Sequence, residues 1–153
     1  MKIEELNKNN FDFSQIRIGL IISIFNEEIS QNLRSEVLKE LKKHNIQIKH
    51  QNYFAEISVP GVFELPQSAY HLAKTSKYDA IICLGAVIQG ETKHDEYISM
   101  SAGYGITQAS ILTDTPIIFG VLTTQNIQQA RERISNGAYY AKSAIEMAIL
   151  NSS

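Results

Sequence analysis

The sequence predicts a three-layer α/β sandwich around a parallel sheet of about four strands. The first observation is that residues 17–24, 80–84 and 116–122 are nearly unbroken runs of apolar, often β-branched residues, typical of strands covered on both faces. The second is that amphipathic helical patterns separate these runs. Strands that alternate with helices are joined by right-handed crossovers, so we expect them to lie parallel.

The first half of the chain supplies two strands and a helix. Residues 17–24 predict the first, central strand. The helix that follows is marked by apolar residues at intervals of four, namely Ile29, Leu33, Val37 and Leu41. Ile46 to Tyr53 alternates apolar and polar residues, which indicates a second strand with one exposed face, nearer an edge. A break follows at Pro60-Gly61, and we expect a flavodoxin-like strand order, 2-1-3-4.

The second half of the chain carries three further helical stripes. Their apolar positions are Leu65, Ala69, Leu72 and Ala73; Ile98, Ala102, Gly105, Ile106 and Ala109; and Ala141, Ala144, Ile145, Ala148 and Ile149. Asn126 is predicted to cap a helix after the last strand, because Gln129 stands three residues on. Two C-terminal helices are expected to part near Asn136-Gly137.

The length predicts one domain with an N-terminal arm. A chain of 153 residues can bury one core, so residues 17–153 are expected to form a single domain. Residues 1–16 are polar, with apolar points at Ile3, Leu6, Phe11 and Phe13. These are too few to make a core element alone, and we predict an arm that pairs with a neighbouring subunit.

The composition favours small molecules as partners. A net charge of −2 and a pI near 6.1, without a basic cluster, give no electrostatic basis for binding nucleic acid. Cys83 is the single cysteine and lies in an apolar run, so it cannot form an internal disulfide, and a reducing cytoplasm is expected. No segment approaches about 18 apolar residues or contains a signal-peptide core, so neither membrane spanning nor export is expected.

The histidines do not predict a metal site. His44, His50, His71 and His94 lack the spacing of metal ligands, and we expect neither a metal nor a redox cofactor. The first three are expected to be surface residues.

Functional residues are expected just after the strands, because ligands of such sheets bind beyond the strands' carboxyl ends. Four segments there carry unusual residues: Phe25-Asn26, 59–64, 85–94 and Thr123-Thr124. In the third, a helix beginning near Glu91 or Thr92 would direct free amide groups and its dipole at an anion. Thr92 adds a hydroxyl donor, and His94 in the first turn can transfer protons. The stretch predicts an anion site with a base, which phosphate loss and carbonyl condensation both require.

Taken singly, these residues have commoner structural roles. An aromatic residue such as Phe25 more often packs in a core or a loop than stacks on a ligand. A histidine in a first helical turn, as His94 is, is usually solvated or capping. Arg133 would be a solvated helix charge beside Glu132, and Glu64 a carboxylate favoured by a helix dipole. Only the combination is specific.

Several segments together carry a resemblance that none carries alone. They are Phe25-Asn26, Pro60-Gly61-Val62-Phe63-Glu64-Leu65-Pro66, Tyr78-Asp79-Ala80-Ile81-Ile82, Leu84 to Thr92 with His94, Thr123-Thr124, Asn126-Ile127 and Ser143 to Ala148. From about Arg17 to Leu150 the chain resembles the lumazine synthase family. That family joins 5-amino-6-(D-ribitylamino)uracil to 3,4-dihydroxy-2-butanone 4-phosphate, which gives 6,7-dimethyl-8-ribityllumazine, phosphate and water. This transferase reaction is the penultimate step of riboflavin biosynthesis and uses no cofactor.

The resemblance implies a role for each matching residue. Those implied to bind the ribitylaminouracil are Phe25, Val62, Phe63, Glu64, Ala86, Val87, Ile88 and Phe119. Those implied to bind the phosphate are Glu91, Thr92 and Arg133. Phe25 would stack on the pyrimidine ring, residues 86–88 would read its edge through their backbone, and residues 62–64 would border the ribityl chain. His94 would be the catalytic acid and base.

The resemblance also implies a shared active site. Phe119 and Arg133 would come from the adjacent protomer, so that activity requires a homo-oligomer. The family assembles as a pentamer or as an icosahedral 60-mer built of pentamers. We expect the pentamer.

The chain departs from the family pattern at two places. Gln89 is neutral where a basic residue is common. The stretch between Arg133 and Gly137 is shorter than usual and lacks the family's lysine-bearing, Gly-rich loop, with Asn136 nearest its place. These departures leave open a non-catalytic lumazine- or flavin-binding protein of the same fold. A third possibility is an archaeal-type riboflavin synthase, which residues 59–64 and 90–92 match less well.

Overall fold

Four parallel strands form the centre of the protein in the computed structural model, which describes residues 2–46 and 54–152. The strands are β1 (Ile18–Ser23), β2 (Phe54–Val59), β3 (Ala80–Ile88) and β4 (Ile117–Thr124). Their order in the sheet is β2-β1-β3-β4, and every neighbouring pair is parallel. The predicted flavodoxin-like order 2-1-3-4 is therefore confirmed.

Helices cover both faces of this sheet. They are α1 (Ile3–Lys8), α2 (Glu27–Lys43), α3 (Leu65–Ala73), α4 (His94–Thr113), α5 (Ile127–Glu132) and α6 (Asn136–Asn151), with a short 3-10 turn at Val62–Glu64. One core cluster joins one sheet face to α1, α2, α5 and α6, and the other joins the opposite face to α3 and α4. This is the predicted three-layer sandwich.

The two central strands are buried as their sequences predict. All six residues of β1 are buried, and β3 is buried until its last residue. Cys83 lies inside β3, and burial raises the pKa of its thiol to about 12. The thiol therefore packs as a small apolar group and is not a nucleophile at neutral pH.

The edge strands differ from the prediction. Because β4 lies at the edge, its first half is only partly covered, and Phe119 is 37% exposed; the expectation that β4 is buried on both faces is wrong there. The strand predicted at Ile46 to Tyr53 lies outside the described residues apart from Ile46, as does His50. The strand that occupies the other edge is β2, immediately before the predicted break at Pro60-Gly61.

The N-terminal arm packs on its own chain. Helix α1 buries Ile3 and Leu6, and Phe13 follows them into the same core cluster. The backbone N–H of Ile3 donates to Glu146 Oε1 on α6 at 3.0 Å. Residues 2–16 therefore join the core of their own chain, where α6 provides the facing apolar surface, a contact that the sequence did not predict. Pairing of the arm with a neighbouring subunit stays a prediction.

His44 is buried, contrary to the expected surface position. Its Nε2 lies 3.1 Å from Glu40 Oε1, and its ring meets the edge of Phe13 with centroids 5.4 Å apart. Lys43 and Lys142 approach the same carboxylate at 3.4 and 4.0 Å. Burial acts to raise the pKa of Glu40, but the hydrogen bond with His44 and the two ammonium groups outweigh burial and lower it. The carboxylate thus links α2 with α6.

Within 2–46 and 54–152, no cluster of three or more His, Cys, Asp or Glu side chains could hold a metal ion. His71 is exposed, as predicted. None of the helices in this part of the chain combines the length and the apolar character needed to cross a membrane.

A glycine allows α6 to begin against α2. A Cβ at Gly137 would lie 2.7 Å from both the Leu33 carbonyl oxygen and Glu36 Cβ. The two C-terminal helices, predicted to part near Asn136-Gly137, part slightly earlier. Residues 133–135 form the connection, and α6 begins at Asn136. Asn126 caps α5 as predicted, since its Oδ1 accepts the N–H of Gln129 at 2.9 Å.

Replacing Gly137 with alanine is expected to lower the free energy of unfolding by about 1–3 kcal/mol, because the methyl group would overlap the α2 backbone. Gly103, within α4, is the matched control, since a Cβ there meets only the Phe119 ring at 3.9 Å. Alanine favours a helix over glycine by about 1 kcal/mol, so Gly103→Ala should be neutral or stabilising. Urea unfolding at fixed protein concentration measures both, and equal losses would contradict the packing argument.

Glu40→Gln is expected to remove a pH-dependent part of the stability. Because the pKa of Glu40 in the fold is lower than the ordinary 4.5, its contribution is present above about pH 4.5 and disappears as the pH falls through the folded pKa. The variant should lose about 1–2 kcal/mol at neutral pH and progressively less under acid conditions. Urea unfolding across a pH series tests this, with Glu36→Gln on the same helix as control. A loss that stays constant in acid would rule out the ionic origin.

Candidate active site

A cleft of about 210 Å³ opens beyond the carboxyl ends of β1 and β3. The chain leaves β1 towards α2 on one face of the sheet and leaves β3 towards α4 on the other. This is the point where the strand order reverses, at which such sheets bind ligands. The residues that line the cleft are Phe25, Asn26, Val62, Ala86, Val87, Ile88, Gly90, Thr92, His94, Asp95 and Ile98.

Phe25 stands at the mouth of the cleft on a fixed backbone. Its N–H donates to the carbonyl of Pro60 at 3.1 Å, which continues the β1–β2 pairing past the end of β1. The side chain is nevertheless 71% exposed. A large apolar ring that is held in place but left uncovered is suited to stacking on a flat ligand.

Asn26 joins the ends of the two central strands. Its side-chain Nδ2 donates to the carbonyl oxygen of Ala86 at 2.9 Å. Sequence reasoning recognised Asn26 as part of a motif but assigned it no role. Its residue type could have drawn attention to it. Asn26 has left-handed backbone, which asparagine adopts far more readily than most residues and which occurs at chain reversals.

Glycine lets the 3-10 turn close one side of the cleft. A Cβ at Gly85 would lie 2.6 Å from Ser23 Oγ and 2.7 Å from Val62 Cγ2. Val62 can therefore pack directly on β3, and it is buried. Next to it, Ala86 and Val87 are buried while Ile88 is partly exposed, so the backbone at the end of β3 forms the floor.

Helix α4 supplies the remaining wall. It begins at His94, two to three residues later than predicted, with Lys93 as N-cap residue. Thr92 Oγ1 accepts the backbone N–H of His94 at 3.4 Å, and both residues line the cleft. Asp95, which sequence reasoning did not select, lines it as well. A carboxylate in a first helical turn is favoured by the dipole, which makes its position hard to read as functional.

Three of the predicted residues lie beside the cleft without lining it. Phe63 is 60% exposed, and Glu64 is also exposed, although both belong to the same turn as Val62. Glu91 is exposed between the lining residues Gly90 and Thr92.

Phe119 and Arg133 do not line the cleft of their own chain. Phe119 pairs with Cys83, three residues before Ala86, which places it about 10 Å towards the start of the strands. Arg133 follows α5, is exposed, and donates from Nη1 to its own chain's Gln129 carbonyl at 2.9 Å.

The cleft is poor in basic side chains. Among its described lining residues, none is lysine or arginine, and Asp95 is the one carboxylate. The start of α4 offers backbone amides and the positive end of its dipole to an anion. A phosphate bound there would have no lysine or arginine partner among these lining residues.

Comparison with known proteins identifies the family. The family described as 6,7-dimethyl-8-ribityllumazine synthase matches residues 15–152, which is nearly the whole chain. The resemblance found in the sequence is therefore confirmed, and the chain belongs to this family, whose members act in riboflavin biosynthesis.

Proposed function

We propose that this member of the family condenses 5-amino-6-(D-ribitylamino)uracil with 3,4-dihydroxy-2-butanone 4-phosphate to 6,7-dimethyl-8-ribityllumazine. The observation that carries the proposal is the convergence, around one cleft, of Phe25, the carboxyl end of β3 and the stretch from Thr92 to His94. A ring platform, a row of backbone groups and an anion site with a base then serve two substrates together.

The ribitylaminouracil occupies the inner part of the cleft in this proposal. Its pyrimidine ring stacks on Phe25, which is exposed and held by its backbone. Backbone groups of Ala86, Val87 and Ile88 read the ring edge, because the strand end presents them at the floor. The ribityl chain runs along the turn formed by residues 62–64.

The butanone phosphate binds at the start of α4. The backbone at Glu91 and Thr92 and the hydroxyl of Thr92 take the phosphate, with the helix dipole behind them. Since Asp95 makes the cleft more negative, the phosphate also requires Arg133. That arginine is exposed and does not line its own cleft, so in this proposal it acts on the site of a neighbouring protomer.

The chemistry needs proton transfer and positioning. The uracil amine attacks the butanone carbonyl, and loss of water gives an imine. A proton is then removed from carbon, and the phosphate leaves with the electron pair of the C–O bond that held it. Tautomerisation gives a ketone. The ribitylamino nitrogen closes on that ketone with loss of water. His94 takes and returns the protons, while holding both substrates in register contributes much of the rate.

Exposed apolar residues on α4 support the homo-oligomer. Its outer face carries Tyr97, Met100, Tyr104, Ile111 and Leu112, each 68–74% exposed. A contiguous apolar face of this kind marks a protein interface. Phe119, on β4, lies beside Gly103 of α4. In the proposed oligomer, Phe119 therefore belongs to this interface and borders the cleft of the subunit that packs there. We infer a pentamer with active sites between subunits.

We place the protein in the cytoplasm, since a single buried cysteine suits a reducing compartment.

One observation favours an alternative function. Only residues 133–135 connect α5 to α6, and Gln89 is neutral, so the phosphate site has few supporting groups. The alternative is a protein that binds lumazine or flavin without catalysis.

His94→Ala is expected to reduce kcat about tenfold to a hundredfold, because proton transfer is lost while substrate positioning remains. Lumazine absorbance after mixing both substrates measures the rate, and the spontaneous rate without protein is subtracted. His71→Ala, which removes an exposed histidine elsewhere, is the matched control.

The same assay separates the two functions. If the unmodified protein forms no product above the spontaneous rate yet binds lumazine tightly, the enzyme proposal is overturned in favour of the binding protein.

Arg133→Ala is expected to raise the KM for the butanone phosphate about tenfold or more, because a charge-assisted hydrogen bond to phosphate is lost. Arg131→Ala is the control, since that guanidinium is paired with Glu28 at 2.8 Å. An equal effect of Arg133→Ala on a butanone that lacks the phosphate would contradict the assigned role.

Mixing the two impaired variants tests whether the site is shared. Co-expressed His94→Ala and Arg133→Ala chains would leave about a quarter of the sites with both native residues if these come from different subunits. At a butanone phosphate concentration well below the KM of the Arg133→Ala variant, activity should therefore rise above that of either variant alone. No recovery in oligomers shown to contain both chains would place Arg133 in the site of its own chain.

A further inference from the structure

Asn26 has a backbone conformation that is unusual for its place in the fold. It is the N-cap residue of α2, yet its φ of 59° and ψ of 49° are left-handed, and its side chain makes no capping hydrogen bond. An N-cap asparagine normally has extended backbone and accepts an amide hydrogen of the first turn, which stabilises a helix by about 1 kcal/mol. Both the backbone strain and the missing cap are costs to the fold.

The side chain serves a different contact. Its Nδ2 donates to the Ala86 carbonyl across the ends of β1 and β3 at 2.9 Å. The backbone carbonyl of Asn26 accepts from the buried hydroxyl of Ser30 at 3.4 Å, and from the N–H of Ile29 at 3.1 Å. Backbone and side chain are therefore both tied down at the mouth of the cleft. Strain that persists at a ligand-binding site is commonly part of how that site is organised.

We propose that Asn26 is a positioning residue that sets the spacing between the Phe25 ring and the Ala86 carbonyl. The ring platform and the edge-reading backbone belong to different strands, and the amide of Asn26 is a direct link between their ends. Because one lone pair of Ala86 O is occupied, the carbonyl is oriented before any ligand arrives. The inference rests on the proposed function and deepens it, since it concerns recognition of the flat, amine-bearing substrate and not of the phosphate.

The chain contains a matched residue for comparison. Asn45, just beyond the C-terminal end of α2, is also left-handed, with φ of 60°. It lies at the opposite end of the helix from the cleft and lines no part of it. Glycine adopts left-handed backbone without strain, so replacement by glycine at either position removes the side chain and keeps the backbone conformation.

The test compares Asn26→Gly, Asn26→Asp and Asn45→Gly in the assembled protein, with KM measured separately for each substrate. Asn26→Gly should raise the KM for the ribitylaminouracil about tenfold, the effect of one hydrogen bond, and change the KM for the butanone phosphate less than about twofold. Asn26→Asp should raise the KM for the ribitylaminouracil at least as much, because a carboxylate oxygen would face the Ala86 carbonyl oxygen. Asn45→Gly should change neither. Circular dichroism and light scattering verify fold and assembly.

Each outcome decides the proposal. Unchanged KM values for Asn26→Gly, or equal rises for both substrates, would show that Asn26 has only a structural role. If the unmodified protein makes no lumazine, the proposed catalysis fails, and equilibrium dialysis of the ribitylaminouracil still tests the inference. In that test, weaker binding of the ribitylaminouracil by Asn26→Gly but not by Asn45→Gly would support the inference. Binding by Asn26→Gly equal to that of the unmodified protein would overturn it. Should Asn26→Gly fail to fold, Asn26→Asp decides by the same measurements.

Discussion

The pairing of β1 with β3 is the interaction on which the rest of the structure depends, and side chains hold it at both ends. Where the strands begin, Asp79 binds the Arg17 guanidinium at 2.9 Å and the Arg17 N–H at 2.8 Å. Where they end, Asn26 binds the Ala86 carbonyl at 2.9 Å. The chain leaves the two strands towards opposite faces of the sheet, and the cleft lies between these exits. A register shift of one residue would turn every buried side chain to the wrong layer and would separate Phe25 from the end of β3.

Charge explains why the proposed site draws on a second chain. The proposed anion site consists of backbone amides at the start of α4, next to the carboxylate of Asp95. An arginine is the usual partner of a phosphate, because its planar donors match the oxygens. Arg133 is exposed directly after α5. Phe119 lies beside α4, whose outer apolar residues are uncovered. In the proposed oligomer, Phe119 and Arg133 would reach a neighbour's cleft, so that assembly and substrate binding share one requirement.

Much of the candidate site could be predicted because its residues follow strands directly. Phe25, Ala86 to Ile88, Thr92 and His94 occupy the positions where a parallel sheet binds ligands, and local sequence is enough to locate them. The role of Asn26 could not be predicted, since its partner is 60 residues away and an asparagine before a helix is ordinarily a cap. Asp95 escaped notice for a similar reason, because acidic residues are common in first helical turns.

The sequence by itself determined the alternation of strands and helices and the family, because these depend on periodicity and on residues adjacent in the chain. The order of the sheet was an expectation from the fold class, which the structure confirmed. Tertiary structure alone decided that α1 packs on α6 and that His44 is buried against Glu40 and Phe13. An amphipathic pattern shows that a side chain has a face to cover, but not which distant segment covers it. Such contacts depend on the geometry of helices crossing over a twisted sheet, where a single glycine at residue 137 sets how closely two backbones approach.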